Sequence, residues 1–288
     1  MVHCFACLKG VISLQVLKLS IFGMGGRMNI SRMPALFVGH GSPMNVLEEN
    51  RYTNAWRELG ERLPVPRAIL VISAHWYTNG TVVTAMTQPK TIHDFRGFPQ
   101  ELHETQYPAK GLPELAALVQ EILEPVEVYA DHHQWGLDHG TWGILIKMYP
   151  QANIPVVQLS IDDAKPATYH YELGKKLATL RDEGVLILGS GNVVHNLRAM
   201  KRQEPNAEPY PWAETFNHYV RDNLASNEQP YPLVHALDRE DGQLSNPSPE
   251  HFLPLLYVMG TWDRKEVVSI PVDGIVSGSL SMLSVRVG

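Results

Sequence analysis

Cysteine is almost missing from this chain: of 288 residues only Cys4 and Cys7 carry thiols, and both lie in the first ten positions. No disulfide framework can staple the body of the fold, which fits a reducing, cytoplasmic compartment. The C-x-x-C pair has no second pair to complete a zinc site and no βαβ unit around it, so it is not read as functional. An excess of one charge is missing too, since 24 Lys and Arg stand against 30 Asp and Glu for a net charge of -6. Without a basic stripe there is no surface for releasing counterions from nucleic acid. Long apolar runs are also lacking. The stretch 11–22 is broken by Lys18, is too short to span a bilayer and is followed by no clean small-x-small cleavage site. The expected partners are therefore small molecules, with no nucleic acid and no membrane, and the chain is expected to be a soluble monomer or small homo-oligomer.

What is present points to one large core. Hydrophobic residues make up 44% and charged residues 19%, values of an ordinary globular protein. Met24, Met28 and Met33 follow one another closely and the first convincing strand begins only after Pro34. Residues 1–30 are therefore expected to be a leader outside the core, as in an over-long reading of the start site, and residues 31–288 a single domain. Short β-rich apolar runs at 35–38, 68–73, 81–86, 126–130, 154–161 and 185–188, with a last one at 281–287, alternate with helical periodicity over 50–62, 112–123, 141–148, 166–181 and 210–224. That alternation predicts an α/β fold with a mostly parallel central sheet and helices on both faces. The long Pro-, Gly- and His-bearing loops 88–110 and 238–249 are candidates for an active-site rim.

The informative feature is where the 13 histidines fall. An apolar strand runs straight into His40, another into His75, and a third, through a longer glycine turn, into His195. Ligands of open α/β sheets bind at the carboxyl ends of the strands, so three strands carry imidazoles to one rim. A single histidine there is most simply a satisfied core or surface residue, but three at equivalent places predict a metal site. His139 stands before a probable helix, flanked by glycine and tryptophan, as in a loop closing over an aromatic ligand; the plainer alternative is that Asp138 caps the helix and His139 is solvated. Glu250 and His251 come together at another helix start, and either can be a third ligand. Of the adjacent pair His132 and His133, at most one is expected to face the site. Gly189-Ser190-Gly191 lacks the rest of a phosphate loop, Ser42 lacks a nucleophile elbow, and no H-E-x-x-H occurs.

The motifs F-V-G-H-G-S-P (37–43), I-S-A-H-W (72–76), W-G-L-D-H-G-T-W (135–142), G-S-G-N-V-V-H-N (189–196) and E-H-F-L-P-L (250–255) occur in that order. In them the chain resembles the class III extradiol ring-cleaving dioxygenases of the protocatechuate 4,5-dioxygenase catalytic-subunit superfamily, particularly the branch of 4,5-DOPA extradiol dioxygenases. The resemblance runs from about residue 33 to the C-terminus. It implies a Rossmann-like core over 31–288 and one divalent metal ion, Fe(II) for catalysis, with Zn(II) able to occupy the isolated protein. The substrates it implies are a small catechol, DOPA or a relative cleaved at the 4,5 position, and O2. By this resemblance His40, His75 and His251 are metal ligands and His139 is the substrate-side histidine. His195 is the acid and base, and in this branch it also reaches the metal. The wider superfamily uses two histidines and a glutamate, so a third histidine here makes the centre more positive.

Three protein ligands leave room on one ion for both catechol oxygens and O2. A histidine neutral near pH 7 can take the second catechol proton and later return one, the role given to His195, while His139 orients the substrate or steadies developing charge. Two other readings stay open. A zinc-dependent hydrolase would use the same cluster to activate water, and a non-catalytic metal-binding scaffold of the same fold would use it for no reaction.

Overall fold

A computed structural model describes residues 32–288; the leader expected over residues 1–30 lies outside them. In chain order the elements are β1 (Ala35–Gly39), α1 (Arg51–Arg62), β2 (Ala68–Thr78), β3 (Thr81–Thr84), α2 (Gln100–Glu104), α3 (Pro113–Leu123), β4 (Val128–Asp131), α4 (His139–Met148) and β5 (Val156–Asp162). They continue with α5 (Ala167–Leu177), β6 (Val185–Gly191), α6 (Pro211–Asn223), α7 (Glu240–Ser245), α8 (Leu253–Gly260), β7 (Val268–Val272), β8 (Ile275–Val276), β9 (Leu280–Ser281) and β10 (Ser284–Val287).

Eight strands form one sheet in the order β4-β3-β5-β2-β6-β1-β10-β7. The central neighbours β5, β2, β6 and β1 are all parallel. The margins bring in antiparallel pairings of β3 with β5, β10 with β1, and β7 with β10. The sheet is thus mixed, with the mostly parallel, doubly covered centre expected of an α/β domain. Side chains alternate across a strand, so each central strand feeds two cores. Phe37, Leu70, Ile72 and Leu159 pack with Leu118, Leu177, Phe216 and Leu256 of α3, α5, α6 and α8. Leu36, Val38, Ile69 and Val71 pack on the other face with Trp56 and Leu59 of α1 and Trp142 and Leu145 of α4.

The helix starts follow local chemistry. Asn50 caps α1 in a reciprocal box with Thr53, while Pro113 and Pro211 open α3 and α6, where a missing N–H costs nothing. Two departures from the sequence expectation bear on the site. Strand β2 continues past residue 73 to Thr78, and its register against β5 shifts between Ile72 and Tyr77, the stretch that carries His75. Such irregularities re-aim side chains beside functional sites. Strand β7 was not expected. It lies at the sheet edge, where Pro271 is tolerated, and its half-exposed residues give no apolar run to read. Among the described residues no helix is long and apolar enough to cross a membrane.

Candidate metal centre

The carboxyl ends of β1, β2 and β6 lie side by side, and His40 after β1, His75 near the end of β2 and His251 meet above that edge. His40 comes directly after β1, its backbone N–H donating to the Gly191 carbonyl at 3.0 Å. The chain then turns away at Gly41, whose φ of +64° suits glycine and where a Cβ would lie 2.6 Å from the Met282 sulfur. Asn45 closes the turn, its side-chain amide donating to the His40 carbonyl at 3.1 Å.

What stands behind each ring fixes which nitrogen is free. Ser190 Oγ donates its single proton to the Gly140 carbonyl at 2.6 Å, so it can only accept from His40 Nδ1, 3.0 Å away. Nδ1 of His40 therefore carries the hydrogen and Nε2 the lone pair. Asp94 Oδ2 lies 3.3 Å from His75 Nδ1, a charge contact rather than a hydrogen bond. Glu250 Oε1, 3.2 Å from His251 Nδ1, sets the same tautomer as in His40 and leaves a buried His251 Nε2 with no hydrogen-bond partner. The Nε2 atoms of His40 and His75 face each other at 3.3 Å. If both nitrogens are bare, two lone pairs at that distance repel, and a cation shared between them removes the repulsion. Ligand atoms of His40, His75 and His251 all lie within 4.8 Å of one another, and the ring centroids are 5.0–5.3 Å apart.

Electrostatics keep these imidazoles unprotonated. Burial, then the neighbouring histidines, hold His40 and His251 well below the usual imidazole range. Burial followed by the charge of His139 lowers His75 to about 3, against the pull of Asp94. Burial takes His195 to about 4, opposed by Glu250. Neutral imidazoles with a bare Nε2 are the form that binds a metal, so the residues present fit the ion that the motifs imply.

His139 is the first residue of α4, 8% exposed and therefore not solvated. Asp138 does cap that helix, accepting from Thr141 N, and it also accepts from Ser73 Oγ at 2.8 Å and from the Gln158 side chain. Burial, then the charge of Asp94, pushes the Asp138 carboxyl up to about 6. Asp94 holds His139 twice, accepting from its backbone N–H at 2.9 Å and approaching ring Nδ1 at 2.9 Å off the N–H axis. Burial raises the Asp94 carboxyl, but the bonds and charge of His139 and then His75 outweigh it and leave it below its ordinary range. His195 lies elsewhere in the cluster: its ring stacks on His251 at 3.4 Å and 6°, and its ligand atom groups with Glu250 and His251 rather than with His40 and His75. Its backbone N–H donates to the Ser245 carbonyl in the loop expected as a rim. His132 and His133 are both exposed and outside the cluster.

Sequence reasoning missed Asp94 and Ser190. Asp94 sits in the loop 88–110, where no local pattern singles it out, and Ser190 in sequence is only part of an incomplete phosphate loop, with nothing to mark it as the acceptor behind His40.

Fold and cluster together define a chain that collects imidazoles at the carboxyl edge of an α/β sheet in an arrangement able to hold a metal ion. Comparison with known proteins gives the family: residues 30–279 match the catalytic LigB subunit of aromatic ring-opening dioxygenase, and the chain belongs to that family. It is 60% identical over 263 residues to a 4,5-DOPA dioxygenase extradiol of Escherichia coli (strain K12), covering 91% of this chain and 97% of that one. It is 38% identical over 246 residues to a protein of the same name from Beta vulgaris, covering 82% and 89%. A crystal structure of an uncharacterized protein from Escherichia coli K12 superposes with a TM-score of 0.80 at 56% identity, covering 89% of this chain and all of that one. The chain is therefore an extradiol dioxygenase, a metal-dependent enzyme acting on a catechol and O2, and the hydrolase and scaffold readings are not favoured.

Proposed function

We propose that this enzyme cleaves DOPA or a closely related catechol at the 4,5 position, that Fe(II) is its working metal, and that it acts in the cytoplasm. The observation that carries the metal assignment is the trio of His40, His75 and His251, two of them buried and one partly so, whose ligand atoms lie within 4.8 Å of one another. His40, His75 and His251 would hold the ion; Fe(II), when bound, supplies the electron path between ring and O2 that a spin-paired aromatic lacks by itself. Zn(II) suits the same imidazole-rich set and can occupy the isolated protein. The substrate is supported by the names of the relatives at 60% and 38% identity, and the compartment by the near absence of cysteine.

The chain's own residues do the rest. His195, kept neutral by burial, accepts a proton from the catechol and returns one to the opening ring. His139, fixed through Asp94 and the start of α4, points a polar group at the substrate oxygens. Burial of the cluster excludes bulk water. The test is to load the metal-free protein with Fe(II) under anaerobic conditions, add DOPA and then O2, and follow oxygen uptake and the product spectrum. Stoichiometric uptake with a ring-opened product is expected; no uptake with any catechol would sink the reading.

A further inference from the structure

A catechol bound by its two oxygens must leave its ring substituent somewhere, and the walls around the histidine cluster offer one place. A cavity of about 670 Å³ opens between the start of α1, the loop after His195 and the β8–β9 hairpin. That volume is in the range of small-molecule sites. Ser42 and Asn45 line both this cavity and a small pocket walled by His40 and His139. On the opposite side it is walled by Leu280, whose backbone bridges to His195, and by Met282, whose sulfur lies against Gly41. Ser42 and Asn45 thus stand between this cavity and the pocket beside His40 and His139, and Leu280 and Met282 between it and the segments that carry His195 and His40.

Its charges are balanced. Arg51 and Arg202 face it with Glu48 and Glu208. Arg51 is steadied over the Tyr52 ring at 4.6 Å and donates to the Tyr52 hydroxyl. Arg202 has no hydrogen bond or ion pair with any described side chain, and the Glu208 carboxylate has none either. Two cations and two anions around a methionine-lined cavity suit a zwitterion better than a simple acid, a simple amine or an uncharged ring, because each of those leaves one sign unmatched.

We propose that this cavity is the subsite for the ammonium and carboxylate of an amino-acid side chain on the catechol, with Arg202 meeting the carboxylate and a glutamate, Glu48 or Glu208, the ammonium. The proposal rests on the ring-opening reading above and deepens it by making the tail the determinant of specificity.

The experiment uses Fe(II)-loaded enzyme with four catechols: DOPA, dopamine, which lacks the carboxylate, 3-(3,4-dihydroxyphenyl)propionate, which lacks the ammonium, and 4-methylcatechol, which lacks both. The wild type should favour DOPA in kcat/KM by ~10-fold or more over each of the others. Arg202→Ala should lower kcat/KM for DOPA by ~10-fold, mainly through KM, and leave dopamine and 4-methylcatechol within about twofold. Glu48→Gln or Glu208→Gln should do the mirror, reducing DOPA and dopamine but sparing the propionate. The unchanged 4-methylcatechol rate shows that each variant is folded and metallated. If the wild type turns over 4-methylcatechol as well as DOPA, or if Arg202→Ala lowers all four alike, the subsite is wrong while the reaction stands. Loss of discrimination by neither glutamate variant overturns the ammonium half. No oxygen uptake with any of the four refutes the reaction itself and the subsite with it.

Discussion

His40, His75 and His251 share one chemistry because an oxygen stands behind each ring and their ligand atoms converge on one point. Replacing His40 or His75 by Ala should abolish metal retention, because a small ligand set loses both affinity and geometry when one member goes. His139→Ala should keep the ion and the fold yet slow turnover by ~10²–10⁴-fold. Metal content after gel filtration, read beside the rate, separates the two classes; metal loss from His139→Ala would make it a ligand. A histidine outside the centre adds to the response to acid. His170 is fully buried, with Nδ1 3.1 Å from the Tyr257 hydroxyl, and burial lowers its pKa from 6.5 to about 4. The unfolded chain then binds the proton more readily, so the contribution of His170 is complete above pH 6.5 and is lost as pH falls from 6.5 toward 4. The loss amounts to roughly 3 kcal/mol. Urea unfolding of metal-free wild type and His170→Gln across that window should show a shallower pH slope in the variant, since every other group is common to both. Equal slopes would show that His170 keeps its ordinary affinity for protons.

Among the elements, the strands that end in histidine were legible because a buried parallel strand is a continuous apolar run and a glycine or serine turn follows it. The helices with a polar face were legible by their period. What was not legible has physical causes. The start of α8 is legible near 250–251, but its extent is not, because the helix is buried along its whole length and has no polar face to give a period. β7 has no apolar run, and the extension of β2 through His75 depends on a register shift set by its neighbour. Asp94 gained its role only when the loop folded over α4, a long-range contact with no local signature. The packing of α8 on α5 gives a prediction of its own. An added Cβ at Gly174 would lie 2.2 Å from the Tyr257 carbonyl oxygen, and one at Gly260 2.4 Å from that of Tyr171, so the two backbones approach where both lack side chains. Gly174→Ala meets backbone rather than a flexible side chain, so the helices must separate. It should destabilise by about 1–3 kcal/mol although alanine is the better helix former. A thermal midpoint equal to or above the wild type would mean that the helices can shift apart freely.

Across the whole molecule, the two edges of the sheet have different work. The carboxyl edge of the parallel strands carries the histidines, and the opposite edge is tied by one buried cation. Arg181 follows α5 and is fully buried. Its Nε donates to the Met33 carbonyl before β1 at 2.7 Å, Nη1 to the Thr261 carbonyl after α8 at 3.1 Å, and Nη2 to the Val287 carbonyl at the end of β10 at 3.2 Å. Glu266 completes the set with a two-pronged pair at 2.8 and 2.6 Å. Arg181→Met removes the donors of three carbonyls and leaves the mostly buried Glu266 carboxylate with only the longer Arg32 contact at 3.6 Å, which should cost about 3–5 kcal/mol. That is a large share of the ~5–15 kcal/mol typical of a domain. Arg181→Met combined with Glu266→Gln should recover part of the loss, because the stranded charge is gone. By contrast the nearby Arg32–Asp182 pair, 30% and 52% exposed, should contribute less than about 1 kcal/mol when removed. Because the tie lies at the edge away from the histidines, Arg181→Met should unfold at lower denaturant yet, while folded, keep the wild-type metal content and rate. Metal affinity that fell in step with stability would show that the two edges are coupled through the strands between them.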